Sequence, residues 1–175
     1  RTVYTPQILA LVNGGADAIL LETFTSLQHV RTVLEIINQI KCPPPAIVHM
    51  SLRKKSNGDW SQDPIQLVND TAKLGACVVG VNCCSPSEAN SFLETTSQID
   101  SVIKNKIHLS VMPNGGDFKR IGHRYLTGVN PEFMGKFARQ AVIKGTRLVG
   151  GCCDVHPEHI HEMQNYLRAN DTSRI

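Results

Sequence analysis

Two pairs of adjacent cysteines are the residues whose types and spacing are best suited to chemistry. Cys83 and Cys84 come shortly after one apolar run, and Cys152 and Cys153 follow another through two glycines. Three thiolates are soft ligands for zinc and leave the fourth position of the tetrahedral ion open, as in a catalytic site. The pattern predicts a zinc site made of Cys83, Cys152 and Cys153, although spacing alone does not separate Cys83 from Cys84.

A zinc ion held only by thiolates is electron rich and favours an incoming thiol as its fourth ligand. Binding lowers the pKa of that thiol and delivers a thiolate nucleophile at neutral pH. Two adjacent ligands on one metal ion require a tight backbone, which Gly150 and Gly151 allow because they carry no side chain. The sequence therefore indicates thiol chemistry at this site.

The other cysteines and a group of histidines have weaker support as ligands. Cys42, beside a run of prolines, and Cys77, inside an apolar run, are interpreted as small buried hydrophobes. His156, His159 and His161 raise the alternative of a local Cys/His zinc finger. Such a finger would also need a second ligand pair at a suitable spacing.

Glu22 is a candidate for substrate binding because it stands at the end of a predicted strand. A carboxylate at this place can bind an amine or act as a base. A helix-capping or solvated surface carboxylate explains the same position equally well. The residue pattern alone leaves both interpretations open.

Five apolar runs alternate with helical patterns, and these elements must position the candidate residues. The helices are indicated by apolar residues spaced three and four apart and by Pro, Ser or Gly at their ends. The predicted strands cover residues 16–21, 46–52, 77–81, 107–112 and 147–150. Because parallel strands need such helical crossovers, the predicted fold class is α/β with a parallel sheet.

Two architectures fit five βα units. One is an open doubly wound sheet, and the other is part of a (β/α)8 barrel, which needs eight units to close. In both, functional groups collect at the carboxyl ends of the strands. Glu22, both cysteine pairs and a long predicted loop at 113–130 all lie at such ends. One face of the molecule should therefore carry every candidate residue.

The composition indicates a soluble globular chain and excludes several classes of function. Its 175 residues, 41% of them apolar, suffice for one domain with a sizeable core. A net charge of +3 and 5% aromatic residues give no nucleic-acid footprint, and no apolar run approaches the roughly 18 residues of a membrane span. Six cysteines in such a domain indicate reduced thiols and hence the cytoplasm, and Arg1 at the amino terminus indicates an internal piece of a longer chain.

A set of motifs extends over nearly the whole chain. They are Gly80-Val81-Asn82-Cys83, Gly150-Gly151-Cys152-Cys153, Leu21-Glu22-Thr23-Phe24, Met112-Pro113-Asn114 and Pro157-Glu158-His159-Ile160. In a chain of βα repeats, this set resembles the homocysteine S-methyltransferase family. Together the motifs are much more specific than any one of them.

The resemblance implies a (β/α)8 TIM-type barrel, of which residues 1–175 form a partial homocysteine-binding domain with strands four to eight. It implies zinc held by Cys83, Cys152 and Cys153, with the homocysteine sulfur as fourth ligand and Glu22 holding the ammonium group. The implied reaction transfers a methyl group from a small-molecule donor to the homocysteine thiol and gives methionine. The alternative is a non-catalytic zinc-binding or cysteine redox module.

Two features depart from the family pattern. The family usually has glycine after its cysteine pair, whereas this chain has Asp154, which adds negative charge beside an anionic site but tolerates a left-handed backbone. The family's Asp-Gly-rich first strand has no counterpart here. We therefore expect the 175 residues alone to be a poor enzyme with unpaired edge strands.

Overall fold

A sheet of parallel strands organises the chain, which we describe from a computed structural model covering residues 1–103, 106–116, 119–121, 124–126 and 128–169. The strands are β1 (Ile19–Phe24), β2 (Ala46–Met50), β3 (Ala76–Asn82), β4 (His108–Met112), β5 (Lys119–Ile121), β6 (Arg124–Leu126) and β7 (Thr146–Val149). Five of them form the parallel sheet in the order β1-β2-β3-β4-β7, and β5 and β6 form a separate antiparallel pair.

Helices alternate with the parallel strands. They are α1 (Tyr4–Asn13), α2 (Leu27–Ile37), α3 (Pro64–Lys73), α4 (Pro86–Thr96), the short α5 (Asp100–Ile103), α6 (Pro131–Ile143) and α7 (Pro157–Arg168). Three of them begin with proline after a residue whose side chain accepts a hydrogen bond from the first turn, namely Asp63, Ser85 and Asn130. Such caps satisfy backbone donors that a helix cannot pair internally. Each cap fixes where the chain leaves the carboxyl end of the sheet.

The strand order distinguishes between the two predicted architectures. Each successive parallel strand is added on the same side of the previous one, without the reversal of a doubly wound sheet. Because parallel crossovers are right-handed, this order places the helices on one face of the sheet, as in a (β/α)8 barrel. The predicted α/β class is confirmed, and the barrel-type order replaces the doubly wound alternative.

The face of the sheet away from the main helical core carries a buried polar pair. His49 on β2 is fully buried, and its Nε2 lies 2.9 Å from the Ser110 Oγ on β4. Gly80 occupies the register position between them, where an added Cβ would overlap the Ser110 carbonyl. Burial lowers the pKa of His49 to about 4, so its ring is neutral at pH 7.

Several predicted boundaries differ from the structure. The first strand begins at Ile19 and runs through Phe24, so Glu22 lies inside β1 rather than after it. Apolar spacing after Ser85 predicts one helix that includes Ile99 and Ile103, but the helix ends at Thr96 and α5 follows as a separate turn. The predicted loop at 113–130 contains β5 and β6, while its residues 117–118, 122–123 and 127 lie outside the described ranges.

No helix in the described part of the chain is long and apolar enough to cross a membrane.

Candidate metal centre

Three thiols meet at the carboxyl end of the sheet. The Sγ atom of Cys153 lies 3.6 Å from that of Cys83 and 4.0 Å from that of Cys152, and all three lie within 4.8 Å of one another. Tetrahedral zinc with Zn–S bonds of about 2.3 Å separates its sulfur ligands by about 3.8 Å. The observed spacing therefore fits a three-thiolate zinc site.

The remaining cysteines stand apart from this cluster. Cys84 is fully buried in the hydrophobic core, where burial raises the pKa of its thiol to about 12. Cys77 is half-buried, and its Sγ donates to the Ala46 carbonyl oxygen at 3.2 Å. Cys42 is exposed, so the interpretation of this residue as a buried hydrophobe is wrong. All six cysteines are free thiols, and Cys83 rather than Cys84 joins the cluster.

The end of β4 and the segment that follows it hold the first cysteine turn in place. The backbone N–H of Cys83 donates to the Met112 carbonyl oxygen at 3.1 Å, and the N–H of Asn114 donates to the Cys84 carbonyl oxygen at 2.8 Å. These two bonds extend the pairing of β3 with β4 beyond the last residues of the strands. They direct the Cys83 thiol towards the cluster while Cys84 enters the core.

The same segment holds the second cysteine turn. The N–H of Cys152 donates to the Pro113 carbonyl oxygen, and the N–H of Gly115 donates to the Cys153 carbonyl oxygen, each at 2.8 Å. Asn114 is 1% exposed, and its Oδ1 accepts a hydrogen bond from the Cys153 N–H at 3.2 Å. Residues 113–115 thus lie between the two cysteine turns and bond to both.

The unusual backbone of the site falls on two residues that are not glycine. Cys83 has φ +54° and Asp154 has φ +59°, both in the left-handed region. Neither Gly150 nor Gly151 has a positive φ, so the tight backbone expected at these glycines does not use the left-handed conformation that glycine permits. Gly151 is required for space instead, because an added Cβ would overlap the Val155 side chain.

The surroundings of Cys83 favour its protonated thiol. Burial raises the pKa of Cys83 to about 12, and hydrogen bonds with the Cys153 and Cys152 thiols act in the same direction. Zinc binds the thiolate form of cysteine, so loading the site releases protons.

Glu88 stabilises the backbone just after the first cysteine turn. Its carboxylate accepts hydrogen bonds at 2.9 Å from the backbone N–H groups of Ser85 and Lys54 and lies 3.4 Å from the Arg53 guanidinium. Burial by itself raises the pKa of Glu88, but the backbone hydrogen bonds outweigh it and hold that pKa below its usual value. The carboxylate therefore joins the loop after β2 to the start of α4.

The histidines that follow the cysteine pair do not join the cluster of potential ligands found in the described residues. His159 is 7% exposed; its Nδ1 accepts from the His156 N–H at 3.0 Å, and its Nε2 lies 3.1 Å from the Val129 carbonyl oxygen. Val129 in turn donates its N–H to Gly115. His159 therefore joins the start of α7 to the segment that holds the cysteines, which does not favour a local zinc finger.

Glu22 lies at the same end of the sheet as the cysteines. It is exposed on β1, and the next residue, Thr23, hydrogen-bonds with Asn82, which directly precedes Cys83. Its role in substrate binding stays a prediction.

Sequence patterns assigned no role to Asn82 or Asn114, although both stand in the quoted motifs. For Asn82 the available signal was its position directly before Cys83, since a buried amide must find partners, whereas the sequence around Asn114 contains no cysteine.

Comparisons with known proteins identify one protein family that the chain matches over most of its length. Residues 1–167 match the family model described as homocysteine S-methyltransferase. The chain is 28% identical over 180 residues to methionine synthase of Mycobacterium leprae, covering 98% of this chain and 14% of that protein. It is 26% identical over 176 residues to homocysteine S-methyltransferase YbgG of Bacillus subtilis, covering 97% of this chain and 53% of that protein.

Solved structures show the same fold. The oxidised form of the homocysteine methyltransferase MmuM from Escherichia coli matches with a TM-score of 0.65 at 19% identity, covering 94% of this chain and 51% of that chain. Its metallated form matches with a TM-score of 0.61 at 20% identity and the same coverage. The chain therefore spans about half the length of YbgG and MmuM.

Proposed function

The chain belongs to the homocysteine S-methyltransferase family, and from this premise we propose that it carries the zinc site for methyl transfer to the thiol of homocysteine, which gives methionine. The observation that supports the proposal most directly is the spacing of the Cys83, Cys152 and Cys153 thiols, which fits tetrahedral zinc. We further propose that residues 1–175 form a partial barrel domain containing strands four to eight.

Zinc bound here would supply a fourth position for the homocysteine sulfur and lower the pKa of its thiol, so that a nucleophilic thiolate is present at neutral pH. Cys83, Cys152 and Cys153 are the proposed ligands. Glu22 is the proposed partner of the substrate ammonium group. Its carboxylate is acceptor-only when ionised, and a hydrogen bond to an ammonium group is charge-assisted. The proposed partners are small molecules, homocysteine and a methyl donor.

We propose that the protein is cytoplasmic. The chemistry of its cysteines supports this location, because all six are free thiols and the proposed ligands must be reduced to bind zinc. In an oxidising compartment, thiols 3.6 Å apart would be exposed to disulfide formation.

Zinc content tests the ligand assignment. The full-length protein is stripped with a chelator, reloaded with zinc and analysed for bound metal. Cys83→Ala, Cys152→Ala and Cys153→Ala should each weaken zinc binding by more than about 100-fold, beyond the effect typical of residues outside the ligand set. Cys42→Ala and Cys77→Ala are the matched controls and should retain the metal.

Binding of homocysteine to the reloaded protein, followed by calorimetry, tests the function itself. Zinc-dependent binding is expected. A protein that binds zinc but not homocysteine would instead favour a non-catalytic zinc module.

The zinc measurement can also contradict the ligand assignment. If Cys84→Ala loses the metal while Cys83→Ala keeps it, the ligand assignment is wrong.

A further inference from the structure

The strand that carries Glu22 is irregular at this residue. Leu21 pairs with Val48 and Phe24 pairs with Met50, so β1 advances three residues while β2 advances two. This extra residue is a β-bulge, a device that turns side chains away from the regular alternation of a strand. Glu22 and its neighbour Thr23 are accordingly both exposed, whereas a regular strand would turn one of them inward.

Thr23 adopts a backbone conformation that β-branched residues rarely show. Its φ is +60°, in the left-handed region. Such strain persists when surrounding contacts determine the conformation, and it concentrates at functional sites. The contacts that hold Thr23 therefore identify what fixes the bulge.

Asn82 supplies those contacts through its whole amide group. Its Oδ1 accepts a hydrogen bond from the Thr23 N–H at 3.2 Å, and its Nδ2 donates to the Thr23 Oγ1 at 2.7 Å. The N–H belongs to the peptide group that joins Glu22 to Thr23. Asn82 is fully buried, so water does not compete for its amide group. The orientation of the peptide group beside Glu22 is thus fixed by one side chain.

The same residue is covalently joined to Cys83. Asn82 ends β3, and the Cys83 N–H is held by the Met112 carbonyl oxygen at 3.1 Å. The intervening strand β2 has already ended at Met50, which allows Asn82 to reach from β3 to β1. Glu22 is therefore joined to Cys83 by a short connection. It runs through the peptide bond from Glu22 to Thr23, the side chain of Asn82 and the peptide bond from Asn82 to Cys83.

We propose that Asn82 is a positioning residue that sets the distance between the ammonium-binding carboxylate of Glu22 and the sulfur-binding site at Cys83. The proposal rests on the function proposed above. A fixed distance between these two groups selects amino-acid thiols by the number of carbon atoms between amine and sulfur. Homocysteine carries one methylene more than cysteine, so a fixed distance discriminates between these two thiols.

The test acts on Thr23, because it is exposed, whereas a replacement at the fully buried Asn82 risks unfolding the protein. Thr23→Val keeps the branched shape but removes the oxygen that accepts from Asn82. Thr23→Ser keeps that oxygen and is the matched control. Binding of two thiols to the zinc-loaded full-length protein is measured by calorimetry: homocysteine and 4-mercaptobutanoate, which has the same carbon chain without the amine.

Thr23→Val should weaken homocysteine binding about tenfold, the effect of disturbing one hydrogen bond to a charged group. It should leave zinc content and 4-mercaptobutanoate binding unchanged, and Thr23→Ser should behave as the unmodified protein does. Three results for Thr23→Val would overturn the positioning role of Asn82 without affecting the proposed function. They are equal weakening of homocysteine and 4-mercaptobutanoate binding, loss of zinc, and unchanged homocysteine binding. An unmodified protein that binds zinc but not homocysteine would overturn the proposed function as well.

Discussion

Of the four described non-glycine residues with left-handed backbone, all but Cys42 lie in or near the thiol cluster. Thr23, Cys83 and Asp154 have φ values of +60°, +54° and +59°. Cys83 belongs to the cluster, Asp154 directly follows Cys153, and Thr23 hydrogen-bonds with Asn82, which precedes Cys83. A left-handed conformation costs an L-residue other than glycine about 1–2 kcal/mol, and less for aspartate, whose side chain can bond locally. The departure from the family at Asp154 is therefore compatible with the turn that the position requires.

We predict that Asp154→Gly is more stable than Asp154→Ala by about 0.5–1 kcal/mol. Both variants lack the carboxylate, so their difference isolates the backbone. The left-handed alanine costs about 1–2 kcal/mol, and the larger entropy that glycine gains on unfolding offsets part of this advantage. Denaturant unfolding of the zinc-free full-length protein measures the difference, and a more stable alanine variant would contradict it.

At the scale of secondary structure, the sequence predicted the elements better than their ends. All five parallel strands overlap the predicted apolar runs, because the strands of a parallel sheet covered on both faces are mostly apolar. The first strand was placed too early because its hydrogen bonds continue through the polar Glu22-Thr23 bulge, where polarity gives no signal. The helix after Ser85 stops at Thr96 since Thr95, Thr96 and Ser97 are poor helix formers, although the apolar spacing continues.

The site could be predicted in kind but not in detail. The three thiols meet as the spacing and the resemblance indicated, while their role as ligands stays a prediction. Whether Cys83 or Cys84 enters the cluster depends on the left-handed turn at Cys83, which an adjacent pair of identical residues does not reveal. The link through Asn114 depends on contacts between distant segments, which a local pattern does not contain.

The turn from β7 into the second cysteine pair offers a test at this scale. We predict that Gly151→Ala lowers zinc affinity about 10- to 100-fold, because its Cβ would overlap the Val155 side chain and displace Cys152. Gly150→Ala should change the zinc affinity less than about threefold. The added Cβ would make ordinary contacts with the Met112 side chain, at 3.6 Å or more. Competition with a coloured chelator measures both affinities.

The same overlap provides an internal control. Adding Val155→Gly to Gly151→Ala removes the three side-chain atoms nearest to the new Cβ, including the Val155 Cβ itself, and should restore part of the zinc affinity, because close neighbours couple rather than add. If zinc affinity falls equally for Gly150→Ala and Gly151→Ala, space at Gly151 is not what positions the cysteines.

Over the whole molecule, the thiol cluster and Glu22 depend on both edges of the sheet. Within the described residues, β1 and β7 each pair on one side only, and Leu20 on β1 is 44% exposed. Glu22 belongs to one edge strand, and Cys152 and Cys153 follow the other. Barrels remove such edges by closure, which for this architecture takes eight strands. The stability of the cluster and the pairing of the edges are thus linked.

We therefore predict that the isolated 175 residues methylate homocysteine at least tenfold more slowly per bound zinc than a full-length protein that supplies neighbouring strands. An unpaired edge strand frays, and a displacement of about 1 Å at a reacting group can cost about 100-fold in rate. Turnover of both forms is measured at equal zinc content, with sedimentation to detect association through the edges. Equal turnover by a monomeric isolated chain would show that the five-stranded sheet holds the site without closure.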